Sequence, residues 1–89
     1  MAVTEEHIQK ALNLAKAYGA SRVILFGSAA GDPAQARDLD LACDGVEGWK
    51  LFELGARLEE ELRLPVDVVP LDPPTPFSRH VEREGRVLR

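Results

Sequence analysis

Asp38 and Asp40 sit two residues apart in the segment Asp38-Leu39-Asp40-Leu41. Alternation of this kind is a strand pattern, and on a strand residues i and i+2 project from one face. A third acid, Asp67, interrupts an otherwise apolar run, Val66 to Val69. A polar residue in so short an apolar strand is a local conflict of the kind that marks a site. If the two strands are neighbours, three carboxylates converge. Two like charges 4 Å apart repel by about 4 kcal/mol at an effective dielectric near 20. Such a group therefore needs raised pKa values or a bound cation. All-oxygen ligation suits Mg²⁺, whose remaining positions go to water and phosphate oxygens. Two such ions can clamp the attacking and leaving oxygens of an in-line displacement.

The second chemical feature is Gly27-Ser28, directly after the apolar run Val23-Ile24-Leu25-Phe26. Glycine lets backbone approach a ligand closely. Ser28 offers a hydroxyl, and a helical turn starting there would present amides to an anion such as phosphate. The segment Gly27 to Gly31 is not a P-loop, because no Lys-Ser/Thr pair follows. A phosphate cradle followed at short range by a paired-acid metal site describes nucleoside triphosphate and metal chemistry.

These residues need elements to hold them. Ile8, Ala11, Leu12, Ala15 and Tyr18 recur at helical spacing, so Thr4 to Tyr18 reads as a helix with Thr4 as N-cap and Gly19 at its exit. Arg22 to Phe26 reads as a buried strand. Gly27 to Arg37 is a small polar loop whose start, Ser28-Ala29-Ala30, can form a helical turn. Asp38 to Cys43 reads as a half-buried strand with its acids on the open face. Trp49 to Arg63 reads as a second helix, its stripe made by Leu51, Leu54, Leu58 and Leu62 with Phe52. Pro65 ends it, Val66 to Val69 is a third strand, and Phe77 to Glu84 is a short last helix before Val87-Leu88. The order predicts an α/β (α+β) domain with a small sheet.

The chain has 89 residues, room for one modest core and one domain. It is 45% hydrophobic and 29% charged, the mix of a globular domain rather than a disordered one. No apolar run approaches the roughly 20 residues of a membrane span. A net charge of −4 is not the footprint of a nucleic-acid binder. The single cysteine, Cys43, cannot form an internal disulfide, which fits a reducing, cytoplasmic setting. By strand parity Cys43 faces the core. His7 and His80 lack ligand spacing and read as surface residues. Glu59-Glu60-Glu61 reads as a solvated helix face. Trp49, Phe52 and Phe77 read as core, with an interface as the other place for one of them. The basic tail residues Arg79, Arg83, Arg86 and Arg89 suit a surface or a partner contact.

Phe26-Gly27-Ser28, nine intervening residues and Asp38-Leu39-Asp40-Leu41 resemble the glycine-serine and double-aspartate signature of the DNA polymerase beta-like nucleotidyltransferase superfamily. The size is similar to its minimal nucleotidyltransferases (MNT), the antitoxin half of HEPN/MNT toxin–antitoxin pairs, and the resemblance covers most of the chain. It implies one minimal nucleotidyltransferase domain over 1–89, a small mixed sheet flanked by helices. It also implies two Mg²⁺ ions and ATP or another nucleoside triphosphate. Asp38, Asp40 and Asp67 are the implied metal-binding and catalytic residues, and Gly27 and Ser28 the implied phosphate-binding ones. The implied reaction moves a nucleoside monophosphate, AMP from ATP, to a hydroxyl of a HEPN-domain toxin. A hetero-oligomer with that toxin, or a homodimer, is expected. Three positions depart from the pattern. The spacer has nine residues where ten is common, Ala30 stands where an arginine is common, and Arg37 replaces a small hydroxyl residue. The departures keep open an alternative, a module of the same fold that neutralises its partner by complex formation alone.

Overall fold

Thr4 is extended and its hydroxyl accepts the His7 N–H, while His7 Nδ1 accepts the Thr4 N–H, both at 3.1 Å. This reciprocal cap starts α1 (Glu5–Ala17), and it gives His7 a structural role. The computed structural model describes residues 2–88. After α1 come β1 (Arg22–Phe26), a one-turn α2 (Ser28–Gly31), a 3₁₀ turn (Pro33–Gln35) and β2 (Leu39–Asp44). Then follow α3 (Gly48–Leu62), β3 (Val66–Pro70), α4 (Pro76–Glu84) and β4 (Arg86–Val87).

The four strands form one mixed sheet in the order β3-β2-β1-β4. β1 is antiparallel to both β2 and β4, and β2 is parallel to β3. A parallel pair needs a crossover, and α3 supplies it between β2 and β3. Strand alternation divides the side chains between two faces. Val23, Leu25, Leu39, Leu41, Cys43 and Val66 join Ile8, Ala11 and Ala15 of α1 and Leu51, Leu54, Leu58 and Leu62 of α3 in the main core. Ile24, Ala42, Leu71 and Val81 form a smaller core on the opposite face, under α4. Each leucine of the α3 stripe contributes about 1.5–3 kcal/mol by its burial.

Two expectations change here. β2 begins at Leu39 rather than Asp38, and its second face is only partly open. Ala42 is fully buried because α4 returns over that face, so openness on it is left to the two ends of the strand, Asp40 and Asp44. The aromatic residues expected in the core are outside it: Trp49 is 63% exposed, Phe52 84% and Phe77 51%. Phe52 lies about 100° around the helix from Leu51, which turns it off the stripe that meets the sheet. Cys43 is buried as its parity predicts.

The edge strand β3 is blunted. Glu59 Oε2 accepts the Val66 N–H at 3.0 Å, and Pro70 at the other end has no N–H. Among the described residues no helix is long and apolar enough to cross a membrane.

Candidate active site

The parallel register of β2 and β3 sets Asp40 directly beside Asp67. The antiparallel register of β1 and β2 sets Phe26 beside Asp40. Asp38, one residue before β2, shares the face of Asp40 by alternation. The result is a cleft of about 80 Å³ lined by Asp38, Asp40 and Asp67 with Glu59, Pro65 and Val66. The three acids singled out in the sequence thus reach one place from two strands. Asp40 is the least exposed of them, and its carboxyl is held above the ordinary carboxylate range. Burial is the larger cause, followed by the charges of Asp38 and Asp67.

The β1–α2 turn closes the other side. Gly27 has φ 74° and ψ −158°, a conformation open essentially to glycine alone. A Cβ at this position would overlap Asp40 Oδ2. The glycine thus serves both the turn and the close approach of the backbone to the carboxylate. Ser28 opens α2, and its Oγ lies 3.5 Å from Asp38 Oδ1. Gly27 has no side chain with which to cap α2, so the first amides of this turn have no intrahelical or capping acceptor. Ser28 and its amide therefore stand next to the carboxylates as donors for an anion.

Burial and the two neighbouring carboxylates together hold the Asp40 carboxyl up, the mark of a cluster short of positive charge. Their donor set, all hard oxygen, fits Mg²⁺. Among the described residues no three acidic, imidazole or thiol groups are placed so that together they could hold one metal ion. The three carboxylates share one cleft.

Glu59 belongs by sequence to a solvated run, yet it lines this cleft. Its bond to the Val66 N–H marks it as a brace between α3 and the start of β3. Its place on the helix gave no hint, because the contact is made across a turn whose path depends on Pro65. Arg37 is exposed and makes no ion pair among the described residues. Ala30 packs against the main core, so the α2 turn carries no cation.

No family model matches the chain, and no curated protein matches it. Solved structures do. A chain of the toxin–antitoxin complex MntA–HpeT with two Asp→Glu substitutions superposes with a TM-score of 0.78 at 19% identity, covering 91% of this chain and 71% of that one. A chain from the complex of tri-AMPylated Shewanella oneidensis HEPN toxin with MNT antitoxin gives 0.76 at 22% identity, with 96% and 71% covered. A chain from a toxin–antitoxin structure with AMP-PNP gives 0.77 at 21% identity, with 98% and 73% covered. The four-stranded mixed sheet with its helices is therefore the fold of those chains.

Proposed function

We propose that this chain is a metal-dependent nucleotidyltransferase that transfers a nucleoside monophosphate, AMP from ATP, to a hydroxyl of a HEPN-type toxin, and so acts as the antitoxin. The observation that carries this reading is the convergence of Asp38, Asp40 and Asp67 beside the Gly27-Ser28 turn. Support comes from the fold, shared with chains whose structures include an AMPylated HEPN toxin and a bound AMP-PNP.

In this reading Asp38, Asp40 and Asp67 hold two Mg²⁺ ions, which supply charge neutralisation at the triphosphate when bound. The Gly27-Ser28 turn donates hydrogen bonds to the β- and γ-phosphates, and Gly27 lets them come near the backbone. Asp67, on the most open strand of the three-acid set, accepts the proton of the acceptor hydroxyl. The hydroxyl oxygen then bonds to the α-phosphorus, and the bond from that phosphorus to the bridging oxygen breaks. Pyrophosphate leaves. The fold it shares with an antitoxin chain held in complex with an AMPylated HEPN toxin supports a partner protein as the acceptor, in a hetero-oligomer. An ATP-rich, reducing cytoplasm suits both the triphosphate and the free Cys43 thiol.

The test is transfer of label from ATP to a HEPN-type toxin in the presence of Mg²⁺. The Asp38→Ala, Asp40→Ala double variant is expected to lose at least about 100-fold in transfer, the scale of losing one major electrostatic contribution to catalysis. Its circular dichroism should be unchanged, and Mg²⁺ should raise the melting temperature of the unsubstituted protein alone. A folded, unsubstituted protein that leaves the toxin unlabelled would sink the reading. The absence of a cation on α2, where Ala30 stands, favours a second reading: neutralisation by contact without transfer. In that case the double variant still silences the toxin.

A further inference from the structure

The last helix lies antiparallel to β1 across the face that bears the carboxylates. At one end of this packing Phe77 meets Phe26, and at the other Glu82 pairs with Arg22 at 2.6 Å. Phe26 is the last residue of β1 and the cross-strand partner of Asp40. The start of α4 is thereby delivered to the end of the sheet where the carboxylates and the Gly27-Ser28 turn stand.

Phe77 meets Phe26 edge to face, with centroids 5.5 Å apart and planes at 81°. One such contact engages a single side of the ring, and half of the Phe77 residue stays open to solvent. The backbone that carries the ring is fixed by its helix. Pro76 precedes Phe77, the Thr75–Ser78 capping box closes the first turn, and the buried Ser78 and Val81, three residues apart on one face, seat the helix on the sheet. A half-open aromatic ring at this end of the sheet, one residue removed from Asp40 through Phe26, has the properties of a stacking platform, since every nucleobase offers a π-face to one.

We propose that Phe77 is the platform on which the nucleobase of the bound nucleoside triphosphate stacks, with Phe26 as the positioning residue behind it. This rests on the triphosphate reading of the Gly27-Ser28 turn and the three carboxylates. Stacking grips the base without reading its hydrogen-bonding edge, so Phe77 contributes affinity to any nucleoside triphosphate.

The experiment measures binding of AMP-PNP and of inorganic tripolyphosphate, each with Mg²⁺, to the full chain by calorimetry. Phe77→Ala is expected to weaken AMP-PNP by about 5- to 100-fold, the range seen for losing one base–aromatic stack, and to leave tripolyphosphate within about twofold. Phe77→Trp is expected to restore AMP-PNP binding. Phe77→Leu keeps apolar packing against Phe26 and should reproduce the selective loss, which separates stacking from folding. Undiminished AMP-PNP binding by Phe77→Ala and Phe77→Leu overturns the platform while the tripolyphosphate arm still upholds the phosphate site. Equal loss of both ligands also overturns it, because the residue then acts through the fold. If the unsubstituted chain binds neither ligand, the phosphate site falls and the platform with it.

Discussion

Gly27 carries two constraints in one residue, a backbone conformation that side chains avoid and a carboxylate, that of Asp40, in the space a Cβ would take. Replacing it with alanine is expected to cost about 1–3 kcal/mol from the backbone alone. It should also displace Asp40, so transfer should fall by more than the loss of folded protein explains. Urea melts and transfer assays on Gly27→Ala check the two effects separately, and a variant that is less stable but fully active at low temperature would contradict the second. Glycine and serine after an apolar run, and the alternating acids, were legible in the sequence because their spacing is short and local. The exposure of Phe52 and Phe77 was not. Residue type gives an average tendency to burial, whereas their position off the helix stripes decides the outcome.

At the scale of elements, local signals placed the segments well. Thr4 and Gly19 bracket α1, the leucine stripe defines α3, and Pro65 separates α3 from β3. What these signals lacked was where α4 would lie, and this hid the burial of Ala42 and the contact of Phe77 with Phe26. Gly85 permits the packing, since a Cβ there would meet Ile24 Cγ2 at 2.5 Å and the Val81 carbonyl oxygen at 2.7 Å. The helix start depends on Thr75, whose hydroxyl accepts the Ser78 N–H at 3.0 Å while Ser78 Oγ accepts the Thr75 N–H at 2.8 Å. Thr75→Ala is expected to lower stability by about 1 kcal/mol. It should also loosen nucleotide binding, with Thr75→Ser restoring both. Denaturant titration and AMP-PNP binding measure the pair, and an unchanged midpoint would show that the cap is not needed.

For the whole molecule, strand order was beyond the sequence, because β4 from the far end of the chain pairs with β1, and β3 reaches β2 only through the α3 crossover. The core it creates sets a global response to alkali. Burial pushes the Cys43 thiol up to about 12, from an ordinary 9.0. The folded chain then keeps a proton that the unfolded chain releases, so this contribution to stability is complete below pH 9 and declines as the pH rises toward 12. The decline is at most about 1.4 kcal/mol per pH unit. Cys43→Ala should therefore lose stability less steeply than the unsubstituted chain between those limits, as thermal melts at stepped pH would reveal. Parallel slopes would mean that the thiol is not shielded as described.

The treatment of β3 has a consequence for crowded conditions. The Leu39 N–H reaches the Pro65 carbonyl and the Leu71 N–H reaches the Cys43 carbonyl, so positions 65, 67, 69 and 71 face β2 and positions 66, 68 and 70 face outward. Glu59 occupies the outward N–H of Val66, and Pro70 offers none. Val68 is left as the single outward donor, too little for a second chain to template against. The sheet can therefore keep an apolar strand at its margin, next to the carboxylates, without inviting the stacking of copies that leads to fibres.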